Sequence, residues 1–204
     1  MLRRTEPHRV FHNRMKEQFG LHDMVVVGVV RPDHGEGVFN PDSLRKIHAL
    51  TAYGETLRGS VIGEPAGEGV IPGDTLGPST VDTVVPVSQR EVSMSWLMDP
   101  NDLPATQAEA LEVRRKALRT PFLADTVVSA DGKAVALYFP ITRKDLSYKV
   151  YQRLQAKIDE LGGPEEYHIT GLPVAEDVFG VEMFVQMAIS APAAMAVVFV
   201  LMLA

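Results

Sequence analysis

The chain has 204 residues, a formal net charge of −6 and a hydrophobic fraction of 46%, enough for one or two folded domains with a substantial core. The acidic balance argues against nucleic-acid binding, because neutralising phosphates requires clustered Lys and Arg. The absence of cysteine excludes disulfides and thiolate chemistry. No apolar stretch follows the first arginines, so the N-terminus does not have the pattern of a secretory signal peptide.

The first predicted element is a helix over residues 6–20, which ends at a glycine. His8 and His12 lie four residues apart on it, a spacing that metal ligands share. No third ligand stands at a suitable spacing, and a solvated surface is the favoured interpretation. No metal site is predicted here.

A continuous β-branched run over 24–30 predicts a central strand that is covered on both faces. The loop after it contains Asp33, His34 and Glu36. These three residue types suggest a metal, but the flanking glycines favour a mobile turn instead.

Asn40 and Pro41 predict the start of a helix, as an N-cap followed by proline at the first helical position. Its buried face is expected to include Leu44 and Ile47, and a short strand at 60–62 is expected to complete a β-α-β unit. The Gly- and Pro-rich stretch over 63–77 lacks the pattern of a phosphate-binding loop. We expect a flexible surface loop there.

The next predicted strands cover 81–87, which is expected to return to the sheet, and 92–98. The second strand places Met94, Trp96 and Met98 on one side at a period of two. These three residues are interpreted first as core. The alternative is a wall that contacts apolar ligands, because Met and Trp adapt to varied shapes.

A capping box at Thr106 to Glu109 opens another predicted helix. A hairpin follows, with strands at 126–129 and 134–140 around an Asp-Gly turn. A helix over 146–161 and a strand over 167–170 complete the series. This order favours an α/β fold, specifically an α+β two-layer sandwich with a mixed sheet.

The C-terminal segment from Met183 to Ala204 contains no Lys, Arg, Asp, Glu or His. A helix needs about 20 apolar residues to cross a bilayer, so this run predicts a transmembrane helix. It stops without the basic or aromatic residues that usually anchor a span. We therefore expect a piece of a longer membrane protein, with a soluble domain over 1–173 and a helix, truncated at its C-terminal end, over 174–204.

Three motifs occur in order before this helix: NPDSL at 40–44, VSADGK at 128–133 and YHITGLPV at 167–174. Together with the helix they resemble the RND superfamily of exporters, and within it the MMPL-like branch. The resemblance covers almost the whole chain. It identifies the domain with the extracytoplasmic loop domain that lies between the first and second membrane helices.

The resemblance implies a porter-type, ferredoxin-like fold of β-α-β repeats in a proton-driven transporter of the inner membrane, with the domain on the extracytoplasmic side. The implied partners are the bilayer, an apolar or amphiphilic molecule or lipid, the rest of the transporter and, as an option, further copies in a homo-oligomer. Met94, Trp96 and Met98 are the candidate substrate contacts. Glu176, Asp177 and Glu182 are better explained as acidic residues at a helix N-terminus than as proton-relay groups.

Two other classes of function stay open. One is an extracytoplasmic sensor or assembly domain of a membrane protein that does not transport. The other is an enzyme, which the sequence does not favour, because it lacks G-x-S-x-G, H-E-x-x-H and a cysteine nucleophile. No cofactor is predicted.

Overall fold

The computed structural model describes residues 7–88 and 91–203. Five helices and five strands are assigned within these ranges, in an α/β arrangement. They are α1 (Pro7–Phe19), β1 (Asp23–Val30), α2 (Pro41–Glu55), β2 (Asp82–Ser88), β3 (Glu91–Trp96), α3 (Gln107–Arg119), β4 (Ala134–Ile141), α4 (Ser147–Leu161), β5 (Glu166–Thr170) and α5 (Leu172–Leu203).

The main sheet has three strands in the order β4-β1-β5, with β1 antiparallel to both neighbours. The prediction that 24–30 forms a central strand is confirmed. Val25, Val27 and Val29 are completely buried on one face. On the other face Val26, Gly28 and Val30 are only partly buried, so the strand is covered completely on one face and partly on the other.

The free edge of β4 is covered by irregular chain. Tyr138 exchanges two backbone hydrogen bonds with Leu76, of 2.9 and 3.0 Å, and the backbone N–H of Ala136 donates to Val127. The chain that follows α2 therefore pairs with the outer edge of β4, antiparallel to it. It does not add a parallel strand beside β1. The strand pairs of both sheets are antiparallel, and the prediction of a mixed sheet was wrong for this reason.

Two helices form the second layer. α2 packs against β4, α4 packs against β1 and β5, and the two helices contact each other. The bounds of α4 and the start of α2 agree with the prediction, and the side chain of Asn40 accepts from the backbone N–H of Ser43 as an N-cap. α2 ends at Glu55, before Gly59, where the sequence suggested that it would stop. The buried residues that join this layer to the sheet include Leu44, Ile47, Leu50, Val150, Leu154, Ile158, Leu137 and Phe139. Ile169, on the edge strand β5, is half-buried.

The predicted strand at 60–62 is a 3₁₀ turn over Gly59–Ile62. Gly59 and Gly63 bracket it with φ values of 55° and 71°. These left-handed conformations reverse the chain at both ends, so an extended segment cannot form between them.

β2 and β3 form a separate two-stranded antiparallel sheet, in which Asp82 stands opposite Trp96 and Thr83 opposite Ser95. The expectation that residues 81–87 return to the main sheet was therefore wrong. Alternating apolar residues predicted the strands correctly, but such a pattern does not specify the partner strand.

The Asp-Gly turn before β4 is confirmed. The backbone N–H of Gly132 donates to Ser129 over 2.7 Å, and the carboxylate of Asp131 accepts from Ser129 and from the backbone N–H of Lys133. The hydrogen bonds from Ser129, then Lys133, hold the pKa of Asp131 below its ordinary value. The first predicted strand of the hairpin is instead a series of turns around Leu123, and it contacts β4 through an isolated bridge between Val128 and Val135 and through single backbone hydrogen bonds on either side of it.

α5 begins at Leu172, directly after β5, and its first turns pack against α4 and β1. Every described side chain from Met183 to Met202 is exposed. Among the residues that the structure describes, no helix combines the length and the apolar character needed to cross a membrane. The transmembrane helix predicted over 174–204 gains no support from this finding.

Candidate functional site around Trp96

The three predicted contact residues do not share one side of β3. Met94 is 70% exposed and Trp96 44% exposed, whereas Met98 is 2% exposed. β3 ends at Trp96, and the backbone N–H groups of Leu97 and Met98 then bond to Val81 and Pro78. The turn interrupts the period of two after Trp96. The core interpretation is therefore confirmed for Met98 and wrong for Met94 and Trp96.

Trp96 stands between two concave surfaces. The first, which we call the α3 groove, has a volume of about 480 Å³ and lies between the end of β3 and the first half of α3. Trp96, at the end of β3, lines it together with the following residues Leu97 and Met98, and Val113 lines it from α3. Met94 is not among its lining residues, so the structure brings together two of the three predicted contacts.

The α3 groove has an acidic rim. Its lining contains one Lys and the carboxylates of Asp99, Asp102, Glu109 and Glu112. Glu109 is already committed to the capping box, where it accepts from the backbone N–H groups of Ala105 and Thr106 over 2.8 and 3.2 Å. These hydrogen bonds lower its pKa. The groove thus combines an apolar floor with a negatively charged edge.

The second surface, which we call the α2 pocket, has a volume of about 310 Å³. His48, Thr51, Ala52 and Glu55 line it from α2, Gly73, Ser79 and Thr80 from the loop before β2, and Trp96 and Pro100 from the far side. Burial lowers the pKa of His48, against an opposing effect of Glu55. The imidazole is therefore neutral at pH 7.

A third group of polar residues lies at the other end of α2. The side chain of Glu165 is only 1% exposed and accepts hydrogen bonds from Ser43 Oγ (2.6 Å) and Lys46 Nζ (2.7 Å). Arg31 approaches the same carboxylate at 3.5 Å and donates to Asn40 Oδ1 at 3.1 Å. These five residues, which we call the Glu165 cluster, connect β1, α2 and β5.

The Glu165 cluster keeps a buried carboxylate ionised. Burial acts to raise the pKa of Glu165, but the hydrogen bonds from Lys46 and Ser43 outweigh it, and the pKa lies below its ordinary value. Nearby, burial raises the pKa of Tyr167 to about 12, and the charge of Glu165 acts in the same direction. The contacts made by this cluster are those of a structural clamp.

Sequence reasoning found the Asn40 cap but missed the Glu165 cluster. Ser43 and Glu165 are 122 positions apart, and no local pattern marks a glutamate after Gly-Gly-Pro as buried. A charged residue directly before a strand was the only available signal.

The histidine and acidic side chains that suggested metal ligands either lie apart or are paired with other groups. His8 is exposed, and the side chain of His12 lies outside the described residues. His34 Nδ1 accepts from the backbone N–H of Glu36, whose carboxylate pairs with Arg114. In the part of the chain that the structure describes, no group of three His, Asp or Glu residues is arranged to hold a metal ion.

Of the acidic residues near the start of α5, Glu176 pairs with Lys144. The side chains of Asp177 and Glu182 lie outside the described residues.

No family model, no curated protein and no solved structure matches this chain significantly.

Proposed function

We propose that the chain is an extracytoplasmic porter-type domain of an RND/MMPL-like exporter of the inner membrane, and that α5 leads from this domain into the bilayer. The observation that carries the proposal is the surface of α5. From Met183 onward the helix has no charged residue, and its described apolar side chains are exposed rather than packed on the domain.

Such a surface needs a partner other than water. Monomeric soluble proteins rarely expose a contiguous apolar patch of more than a few hundred Å², and a helix that lies on a membrane surface needs a charged face. Lipid on all sides satisfies an uncharged helix, because its backbone groups are already hydrogen-bonded within the helix. Since no described helix meets the requirements of a complete span, the proposal rests on the uncharged sequence and its exposure.

The arrangement of the sheet supports the porter part of the proposal. The order β5-β1-β4, continued by the segment around Leu76, is the strand order of a ferredoxin-like β-α-β repeat in which one edge strand has become irregular. α2 and α4 occupy the positions of its two helices. Strand order and helix placement together support the proposed fold.

In this proposal the substrate is an apolar or amphiphilic molecule, and the α3 groove contacts it. Trp96 provides an adaptable apolar surface, the exposed Met94 extends it along β3, and the buried Met98 supports it from below. A fluorescent lipid added to the chain in detergent should change Trp96 emission saturably. Met94→Asp should weaken this response without unfolding, because the side chain is exposed. If Trp96 emission changed linearly with lipid concentration in both the wild-type chain and Met94→Asp, these contacts would be removed from the proposal.

Partition between detergent and water tests the membrane attachment. The 204-residue chain should enter the detergent phase, and a chain that ends at Val174 should stay in the aqueous phase. Recovery of the full chain as a detergent-free monomer would contradict the proposal. The reading frame around the chain tests the transporter itself: it should encode several more hydrophobic segments and a second copy of this domain. A single hydrophobic segment would favour a sensor or an assembly domain.

A further inference from the structure

The α2 pocket contains polar groups that the fold does not use. Ser79 is 4% exposed, yet its Oγ has no hydrogen-bond partner among the described residues. The Nδ1 atom of His48 is also buried and has no partner among them. Both residues line this one pocket. A buried hydroxyl without a partner destabilises a protein, and such groups are normally paired. A hydrogen-bonding molecule held in this cavity would supply partners for both.

The size of the pocket restricts that molecule. A volume of about 310 Å³ is at the lower end of the range for small-molecule sites, roughly 300–1,000 Å³. At about 30 Å³ for each water-sized group, the pocket has room for about ten non-hydrogen atoms, fewer than a lipid chain of full length contains. This separates it from the larger α3 groove on the opposite side of Trp96.

The charges of the pocket restrict its ligand further. Glu55 is the only charged residue among the nine that line it, since His48 is neutral and neither Lys nor Arg is among them. A bound anion would meet an unneutralised carboxylate. A cation would neutralise Glu55 and would also be attracted to an aromatic ring, and Trp96 is among the lining residues.

We propose that the α2 pocket is a binding site for a small primary ammonium group. Glu55 is its counter-ion, Trp96 is the aromatic wall, and Ser79 Oγ and the neutral His48 accept its N–H groups. A primary ammonium has three donors, which matches one carboxylate and two unpaired acceptors. The inference goes beyond the proposed export of apolar molecules and does not depend on it.

A charge series of three molecules with the same four-carbon body tests the site. Trp96 is the single tryptophan of the chain, so emission changes report on the two surfaces that it lines, and the variants described below assign a change to one of them. We would titrate the complete chain, in a mild non-ionic detergent, with butylammonium, butanol and butyrate at constant ionic strength. Butylammonium should produce a saturable change, and the other two should produce none. An equal response to butanol or butyrate would overturn the proposal.

Three variants locate the ammonium. Glu55→Gln keeps an acceptor for the backbone N–H of Gly73, which Glu55 holds at 3.4 Å, but removes the charge, so butylammonium binding should weaken at least about tenfold. Ser79→Ala should weaken binding while leaving the melting temperature unchanged or higher, because the fold does not use its hydroxyl. Glu112→Gln, at the α3 groove, is the matched control and should bind normally. Loss of binding in Glu112→Gln, with normal binding in Glu55→Gln, would refute the assignment to this pocket.

Discussion

Ser43 Oγ donates a hydrogen bond of 2.6 Å to Glu165 Oε1 across 122 positions of sequence. This contact joins the first turn of α2 to the residue before β5. Lys46 Nζ reaches the other carboxylate oxygen over 2.7 Å. α2 and the segment that leads into the edge strand β5 are therefore fixed to one another by a single buried carboxylate.

The first prediction concerns this carboxylate. Glu165→Gln should lower the free energy of unfolding by about 1–3 kcal/mol, because it leaves Lys46 and Arg31 without their buried counter-ion. The side chains of Lys46 and Arg31 are partly exposed, at 23% and 22%. Water therefore reduces the free-energy cost of losing their counter-ion. Urea unfolding measures the difference. Asp42→Asn, on the exposed pair with Arg45 in the same turn, is the control and should change little.

The second prediction is the pH dependence of that contribution. The pKa of Glu165 is lowered from 4.5 in the folded protein, so its stabilising effect is complete above pH 4.5. It decreases as the pH falls through the lowered folded pKa. Wild type should therefore approach Glu165→Gln in stability on acidification below pH 4.5. A difference between the two proteins that stays constant down to pH 2 would contradict this account.

The third prediction compares two helix glycines. A Cβ at Gly54 in α2 would lie 2.1 Å from Cε1 of the Phe139 ring, whereas a Cβ at Gly180 in α5 would meet no atom within 4 Å. Gly54→Ala should destabilise the fold by about 1–3 kcal/mol through overpacking, despite the better helix propensity of Ala. Gly180→Ala should be neutral or mildly stabilising. Thermal unfolding of the two variants provides the comparison, and equal melting temperatures would contradict it.

The fourth prediction concerns the start of α3. The hydroxyl of Thr106 accepts from the backbone N–H of Glu109 over 3.3 Å. Thr106→Ala should cost about 1 kcal/mol, the usual effect of removing an N-cap. Thr106→Ser keeps the acceptor and should match wild type within a few tenths of a kcal/mol. If Ala and Ser gave the same loss of stability in urea, the methyl group rather than the cap would be responsible.

Local patterns predicted the helices and the central strand because the signals that define them are short in sequence. The Asn40 cap, the capping box at Thr106 and the β-branched run of β1 each determine structure within a few residues. The same reasoning failed at Gly59 and Gly63. Their left-handed φ values follow from how the loop packs, and the apolar residues between them suggested a strand.

The candidate site was only partly predictable for a related reason. A period of two correctly placed Met94 and Trp96 on β3, but did not show that β3 belongs to a separate hairpin and ends at Trp96. The α2 pocket joins residues from α2, the loop before β2 and the end of β3. Such a cavity depends on tertiary packing, and no sequence motif predicts it.

The most direct test of the membrane contact of α5 is a single charge introduced into its uncharged segment. Ile189 is an exposed residue in the middle of the uncharged segment. In flotation with phospholipid vesicles, the wild-type chain should rise with the lipid, and so should Ile189→Leu. Arginine at the centre of an inserted helix costs about 2.5–3.5 kcal/mol, so Ile189→Arg should shift the partition toward water by roughly 100-fold. Equal flotation of Ile189→Arg and wild type, or no flotation of either, would contradict the proposal that α5 enters the bilayer.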